Sequence, residues 1–192
     1  MQKNENPLVL SAVLLVISVV VALLLAFTNS VTVDKIEQNT LQEQKLARQE
    51  VLPQALSFDD LNYQKGNVMA VFEGKREIDS VGWCVNVTPS GYGGEIDIIV
   101  GIAPDMTVSG IKIVSNSETA GLGAKCTDES FSGQFDGKQA PLSVIKNGTP
   151  KDNEIVAITG ATITSSAVTR GVNEAFAAIE ELNLLQGGVT GE

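Results

Sequence analysis

Histidine is missing from this chain of 192 residues, and with it go the usual general base and the commonest metal ligand. Hydrolase triads and HExxH zinc sites are thereby excluded. Cysteine is nearly as scarce: Cys84 and Cys126 are the only two. They stand too far apart for a CxxC redox or zinc motif, and are either free thiols or one long-range disulfide. Basic residues are few as well. The 13 Lys and Arg against 23 Asp and Glu leave a net charge of −10, which repels anionic lipid and nucleic acid, so no nucleic acid is expected as a partner. The chain also lacks a G-x-G-x-x-G nucleotide fingerprint and the Lys of a Walker loop. Without these or an acid–base pair, it is not expected to turn over a substrate alone.

What is present begins with a long apolar run. From Leu8 to Phe27 there is no charged residue, and about 20 such residues at 1.5 Å rise span the hydrocarbon core of a bilayer. A cleavable signal peptide would bring a basic n-region and a small-x-small cleavage site. Here Lys3 is offset by Glu5 and no such site follows Phe27, so an uncleaved anchor in contact with membrane lipid through residues 8–27 is expected. The N-tail then stays in the cytoplasm and the rest of the chain lies on the extracytoplasmic side of the inner membrane.

The chain divides by character into a tail and anchor (1–28), a juxtamembrane helical stalk (29–65), a folded domain (66–186) and a short C-terminal tail (187–192). Val33 to Leu56 contains no Gly and reads as a helix that Pro53 disturbs at its end, either a stalk or a helix packed on the domain. Val68–Phe72, Ile78–Val87, Ile96–Ile102 and Val108–Ser115 are rich in β-branched residues and punctuated by Gly and Pro, which predicts a meandering antiparallel sheet. Helical character returns at Ser130–Phe135, a strand fits Leu142–Lys146, and a last helix is predicted over Thr164–Leu184. Its apolar stripe is Val168, Val172, Ala175, Phe176 and Ile179, and Gly187 and Gly188 end it. Strands followed by terminal helices indicate an α+β domain.

Chemistry concentrates at the start of that helix. Ile158-Thr159-Gly160-Ala161-Thr162-Ile163-Thr164-Ser165-Ser166 sets hydroxyls against first-turn N–H groups that have no partner inside the helix and carry partial positive charge. Such a junction holds phosphate. Thr164 or Ser165 can cap the helix, while Gly160 and Ala161 let a ligand approach the backbone and Thr162 offers a hydroxyl at the mouth. Upstream, Glu118-Thr119-Ala120-Gly121-Leu122-Gly123 suits a planar aromatic ring. Gly121 and Gly123 allow close approach, Glu118 and Thr119 can bond polar edge atoms, and Leu122 can cover a face. Lys125 or Lys146 could set positive charge beside a reduced ring.

Thr159-Gly160-Ala161-Thr162 followed by Ile163-Thr164-Ser165 resembles the threonine-flavinylation motif of the FMN-binding domain family. That family occurs in the G subunit of the Rnf ferredoxin:NAD oxidoreductase and in the C subunit of the sodium-translocating NADH:quinone oxidoreductase. Gly91-Tyr92-Gly93-Gly94 with Ile96 and Ile98 resembles the family's glycine-rich turn and central strand. Residues 118–123 resemble its E-T-P-G-L-G loop, with Ala120 in the Pro position. Phe131, Phe135 and Gly137-Lys138 resemble the segment that follows. The motif usually carries an acidic residue three positions before its first Thr, where Val156 stands here. The resemblance implies FMN attached through a phosphoester to Thr162, with Thr159, Gly160, Ala161, Thr164, Ser165, Glu118, Thr119, Gly121, Leu122, Gly123, Lys125, Lys146 and Tyr92 around it. It also implies maturation by a flavin transferase, partnership with the other membrane subunits of an Rnf-type complex, and electron relay between iron–sulfur and flavin subunits coupled to sodium or proton transport. The alternatives are the C subunit of the NADH:quinone enzyme, a membrane-anchored binding module without redox function, and a small flavoenzyme with an external acceptor.

Overall fold

The computed structural model describes residues 7–187. The expected N-tail with Lys3 and Glu5, and the tail from Gly188, lie outside the described residues. Two compact units result, Met1–Glu43 and Gln44–Glu192. The first holds helix α1 (Pro7–Val51) as far as Glu43, with an apolar stretch, Pro7–Val33, none of it buried. By length and composition it suits a membrane span, and its exposure separates it from the core helix of a soluble protein. Beyond it α1 continues to Val51. Pro53 has no N–H to extend the ladder and disfavours helical geometry at Leu52, which makes one last bond, its N–H donating to the Arg48 carbonyl at 3.0 Å.

The second unit is built on five strands, β1 (Ser57–Asp60), β2 (Val68–Arg76), β3 (Asp79–Val87), β4 (Ile96–Ile102) and β5 (Val108–Asn116). They form one antiparallel sheet in the order β1-β2-β3-β4-β5. The meander agrees with the expected α+β class. Two strands escaped prediction. β1 falls inside the segment read as stalk, so the sheet begins at Ser57, ahead of residue 66. The other is the second of a short pair, β6 (Ser143–Ile145) and β7 (Glu154–Val156), which run parallel. At 4 and 3 residues, β1 and β7 are too short to show an alternation of their own, and their neighbours supply the pairing.

Alternation along β3 sends Val85 and Val87 to one face and Cys84 to the other. On the first face the strands bury Ile96, Ile98, Val100 and Ile111 against Val168, Val172, Ala175, Phe176 and Ile179 of α3 (Thr162–Gly187), with Phe131 and Phe135 filling one end. Complete burial of one such side chain contributes about 1.5–3 kcal/mol. On the second face Ala47, Val51, Leu52 and Ala55 cover Cys84 and Ile99. The cross-strand pairs Gly74–Gly82 and Gly101–Gly110 leave a smooth patch there. A Cβ on Gly74 would lie 2.4 Å from Leu52 Cδ2, and one on Gly101 would lie 2.5 Å from the Val51 carbonyl oxygen. Cys84 and Cys126 sit in different clusters on opposite faces and are both free thiols, which closes the disulfide option.

Candidate functional site

Three segments meet at the N-terminus of α3. The first is the turn Gly91–Gly94, closed by the Gly91 N–H donating to the Gly94 carbonyl at 2.7 Å. The second is the 118–123 loop, which passes into a 3-10 turn, Gly123–Thr127, and then α2 (Glu129–Ser132). Its Leu122 N–H donates to the Thr119 carbonyl at 3.1 Å with Gly121 at φ +77°, a type II turn that requires glycine third and suits Ala120 second, where proline is also favoured. The third segment repeats this device. The Ala161 N–H donates to the Ile158 carbonyl at 2.9 Å with Gly160 at φ +78°, and α3 starts at once at Thr162, two residues earlier than the predicted Thr164.

Between them lies a cleft of about 470 Å³ lined by Tyr92, Glu118, Thr119, Leu122, Gly123, Gly160, Ala161, Thr162, Ile163 and Thr164. Nine residues named from sequence are therefore brought together. Of the others, Ser165 is buried behind the wall: its hydroxyl donates to the Ala161 carbonyl and accepts the Ile158 N–H, both at 3.0 Å. Thr159, Gly121, Lys125 and Lys146 do not line the cleft. Neither lysine brings charge to its wall, so an anion there relies on the first-turn N–H groups of Thr162, Ile163 and Thr164.

The hydroxyls divide sharply. Thr164 is 1% exposed and donates to Glu118 Oε2 at 2.8 Å, while Thr169 donates to the Ser165 carbonyl at 2.9 Å. Thr162 is half-buried at the cleft wall, and its hydroxyl has no hydrogen-bond partner among the described residues. Glu118 is the polar centre of the site. Its Oε1 accepts the backbone N–H groups of Tyr92 at 2.7 Å and Gly93 at 3.1 Å, which leaves it far less free to serve a ligand edge than the sequence suggests.

Tyr92, Leu122 and Ile163 expose 72%, 45% and 57% of their surfaces beside the cleft. Sequence reasoning passed over Ile163. The available signal was that it is apolar yet off the stripe of α3, and such a residue is either wasted on solvent or reserved for a ligand. Cys126, just past the loop, is buried. Burial first, and then the charge of Glu118, push its thiol up to about 11, so it stays protonated and inert.

The FMN-binding domain family matches residues 91–177, which include all three segments. The chain is 41% identical to the G subunit of the Na(+)-translocating ferredoxin:NAD(+) oxidoreductase complex of Acetobacterium woodii, over 91% of this chain and 92% of that one. It is 36% identical to the G subunit of the ion-translocating oxidoreductase complex of Methanosarcina acetivorans, over 84% of this chain and 88% of that one. Among solved structures, that of Shewanella oneidensis NqrC superposes with a TM-score of 0.49 at 20% identity, covering 66% of this chain and 67% of that one.

Proposed function

We propose that this chain, which belongs to the FMN-binding G-subunit family of ion-translocating ferredoxin:NAD oxidoreductase (Rnf) complexes, carries FMN covalently on Thr162 and relays electrons between iron–sulfur and flavin subunits of such a complex. The observation that carries this reading is the free hydroxyl of Thr162, set at the first residue of α3 on the cleft wall, where the next hydroxyls along the helix, Thr164 and Ser165, are already committed.

The residues present fit the group. Attachment replaces the Thr162 O–H with an O–P bond as a P–O bond of the flavin donor breaks; the donor's leaving phosphate is released and takes the hydroxyl proton, with the flavin transferase as catalyst. The first-turn N–H groups of α3 then face the remaining phosphate charge. Gly160, with its positive φ, keeps the backbone beside that phosphate free of a side chain; a Cβ there would sit 3.2 Å from Leu122 Cδ2. Tyr92, Leu122 and Ile163 offer apolar surface to a planar ring and exclude water from it. FMN, when bound, supplies one- and two-electron transfer; the protein supplies position and surroundings. Anchored by the span at Pro7–Val33, the domain lies on the extracytoplasmic side, where covalent attachment keeps a cofactor that no cytoplasmic pool could replace. Sodium or protons are the ions transported by the whole complex.

The test is intact mass and in-gel flavin fluorescence of denatured protein from cells with an active transferase, wild type beside Thr162→Val. One FMN on the wild type and none on the variant is expected. A dark wild-type band would overturn covalent attachment and leave a carrier of loosely held flavin or a plain binding module.

A further inference from the structure

We propose that Glu118 is a positioning residue, which assembles the cleft from three distant segments and serves the ring neither as proton donor nor as acceptor. The inference rests on the FMN reading of the site. One carboxylate oxygen takes two successive backbone donors, Tyr92 and Gly93; the other takes the hydroxyl of Thr164. These partners stand 26, 25 and 46 residues away in sequence. They belong to the Gly91–Gly94 turn and the first turn of α3, while Glu118 itself opens the loop between them. No other side chain among the described residues bonds to all three segments.

The surrounding glycines are cut to this carboxylate. A Cβ on Gly91 would lie 2.2 Å from Glu118 Oε1, and one on Gly123 would lie 2.3 Å from Oε2 and 2.7 Å from Thr164 Oγ1. On Gly93 it would lie 2.2 Å from the Ser117 carbonyl oxygen. Each contact is shorter than real Cβ atoms tolerate: at Gly91 and Gly123 the carboxylate reaches between bare backbones, and at Gly93 the turn lies against the backbone of Ser117. Charge-assisted bonds from consecutive amides are short and directional, and a hydroxyl as buried as that of Thr164 needs an acceptor. With three donors on two oxygens, the group is engaged in holding Tyr92 on one side of the cleft and α3 on the other.

Geometry of this kind has a conservative substitute. A glutamine keeps an oxygen for the two amides, and its NH2 can donate to Thr164, whose hydroxyl turns to accept. An alanine provides neither. A group acting through charge or proton transfer would show the reverse pattern, with glutamine as damaging as alanine.

The experiment compares Glu118→Gln, Glu118→Ala and Thr164→Val in the full chain, purified in detergent. The first readout is amide hydrogen exchange over residues 90–95 in a Thr162→Val background, which carries no covalent flavin and so is independent of the attachment reading. The second, with Thr162 intact, is the anisotropy of flavin fluorescence and the pH dependence of the flavin midpoint potential. Glu118→Gln is expected to match wild type in anisotropy and in the pH dependence of the potential, and to speed exchange at Tyr92 and Gly93 far less than alanine does. Glu118→Ala is expected to speed exchange at Tyr92 and Gly93 by about tenfold or more, the loss of charge-assisted bonds, and to lower the anisotropy. Should Glu118→Ala fail to fold, Thr164→Val cuts one arm only, lowering anisotropy while Tyr92 and Gly93 stay protected. The proposal is overturned if Glu118→Gln alters the pH dependence of the potential or is as damaging as alanine. It is equally overturned if exchange at Tyr92 and Gly93 ignores the loss of the carboxylate, or if Thr164→Val leaves anisotropy at the wild-type value.

Discussion

Two clefts in the second unit have nearly the same volume, about 490 and 470 Å³, and opposite chemistry. The first lies among the end of α1, the edge strand β5, and the segment Thr127–Asp136. Its polar groups are largely paired with one another: Lys112 Nζ meets Glu50 Oε1 at 2.8 Å and the Ser109 hydroxyl donates to the Val51 carbonyl at 2.6 Å. What is left over is acidic, Glu129 and Asp136. The cleft at the start of α3 has a single carboxylate whose oxygens are both occupied, unpartnered N–H groups at a helix start, and the exposed side chains of Tyr92, Leu122 and Ile163. The first repels an anionic, planar ligand; the second has the donors and apolar surface that such a ligand needs. Volume does not mark the site; the state of its donors and acceptors does.

The sharpest way to break this contrast is Thr162→Val, for which the proposed attachment predicts no FMN mass on the denatured chain while Thr164 and Ser165 still hold the helix start. Next comes a matched pair of glycine changes, one per cleft. Gly123→Ala forces a methyl against Glu118 and Thr164 and should cost about 1–3 kcal/mol locally, with flavin loading reduced several-fold by intact mass. Gly110→Ala, in the first cleft, meets nothing closer than 3.5 Å, so its melting temperature and loading should stay close to wild type.

Smaller effects should appear as pH dependence of chemical denaturation. Burial pushes the Cys84 thiol up to about 12 and the Cys126 thiol to about 11, against an ordinary 9.0. A raised folded-state value means that the neutral thiols stabilise the fold fully below pH 9, and that this contribution is lost as pH rises toward 11 and 12. Cys126→Ala should flatten the part of that loss that comes from the α3 side of the sheet; an unchanged slope would refute the assignment. Smallest is the effect in the first cleft. Partial desolvation, and then the Glu129 charge, hold the Asp136 carboxyl above its usual range. Its stabilising protonated form is present at acid pH and lost as pH rises through the raised value, so Asp136→Asn should gain slightly over wild type at neutral pH with flavin loading unaffected.

Much of this was legible along the chain. The apolar run before Phe27, the β-branched segments of β2 to β5 and the stripe of α3 are local periodicities, which state which face each element must bury. The glycines at 121 and 160 could be read only as places of close backbone approach; their positive φ as third residues of type II turns belongs to the structure. Thr162 could be named because a helix start is a local event, and its free N–H groups follow from chain direction alone. The short strands β1 and β7 carried no such signal, since three or four residues pair only where a neighbour already offers an edge.

The sequence by itself therefore determined the long elements, α1, β2 to β5 and α3, and the hydroxyl that faces the cleft. Tertiary structure alone decided which hydroxyls were already spent, that Lys125 and Lys146 stand off the cleft wall, that Ile163 lines it, and that Glu118 binds the protein to itself. The physical reason is that saturation of a donor or acceptor depends on partners 25 to 46 residues away. Nothing in the local pattern around Glu118 encodes which backbone amides will arrive at its oxygens.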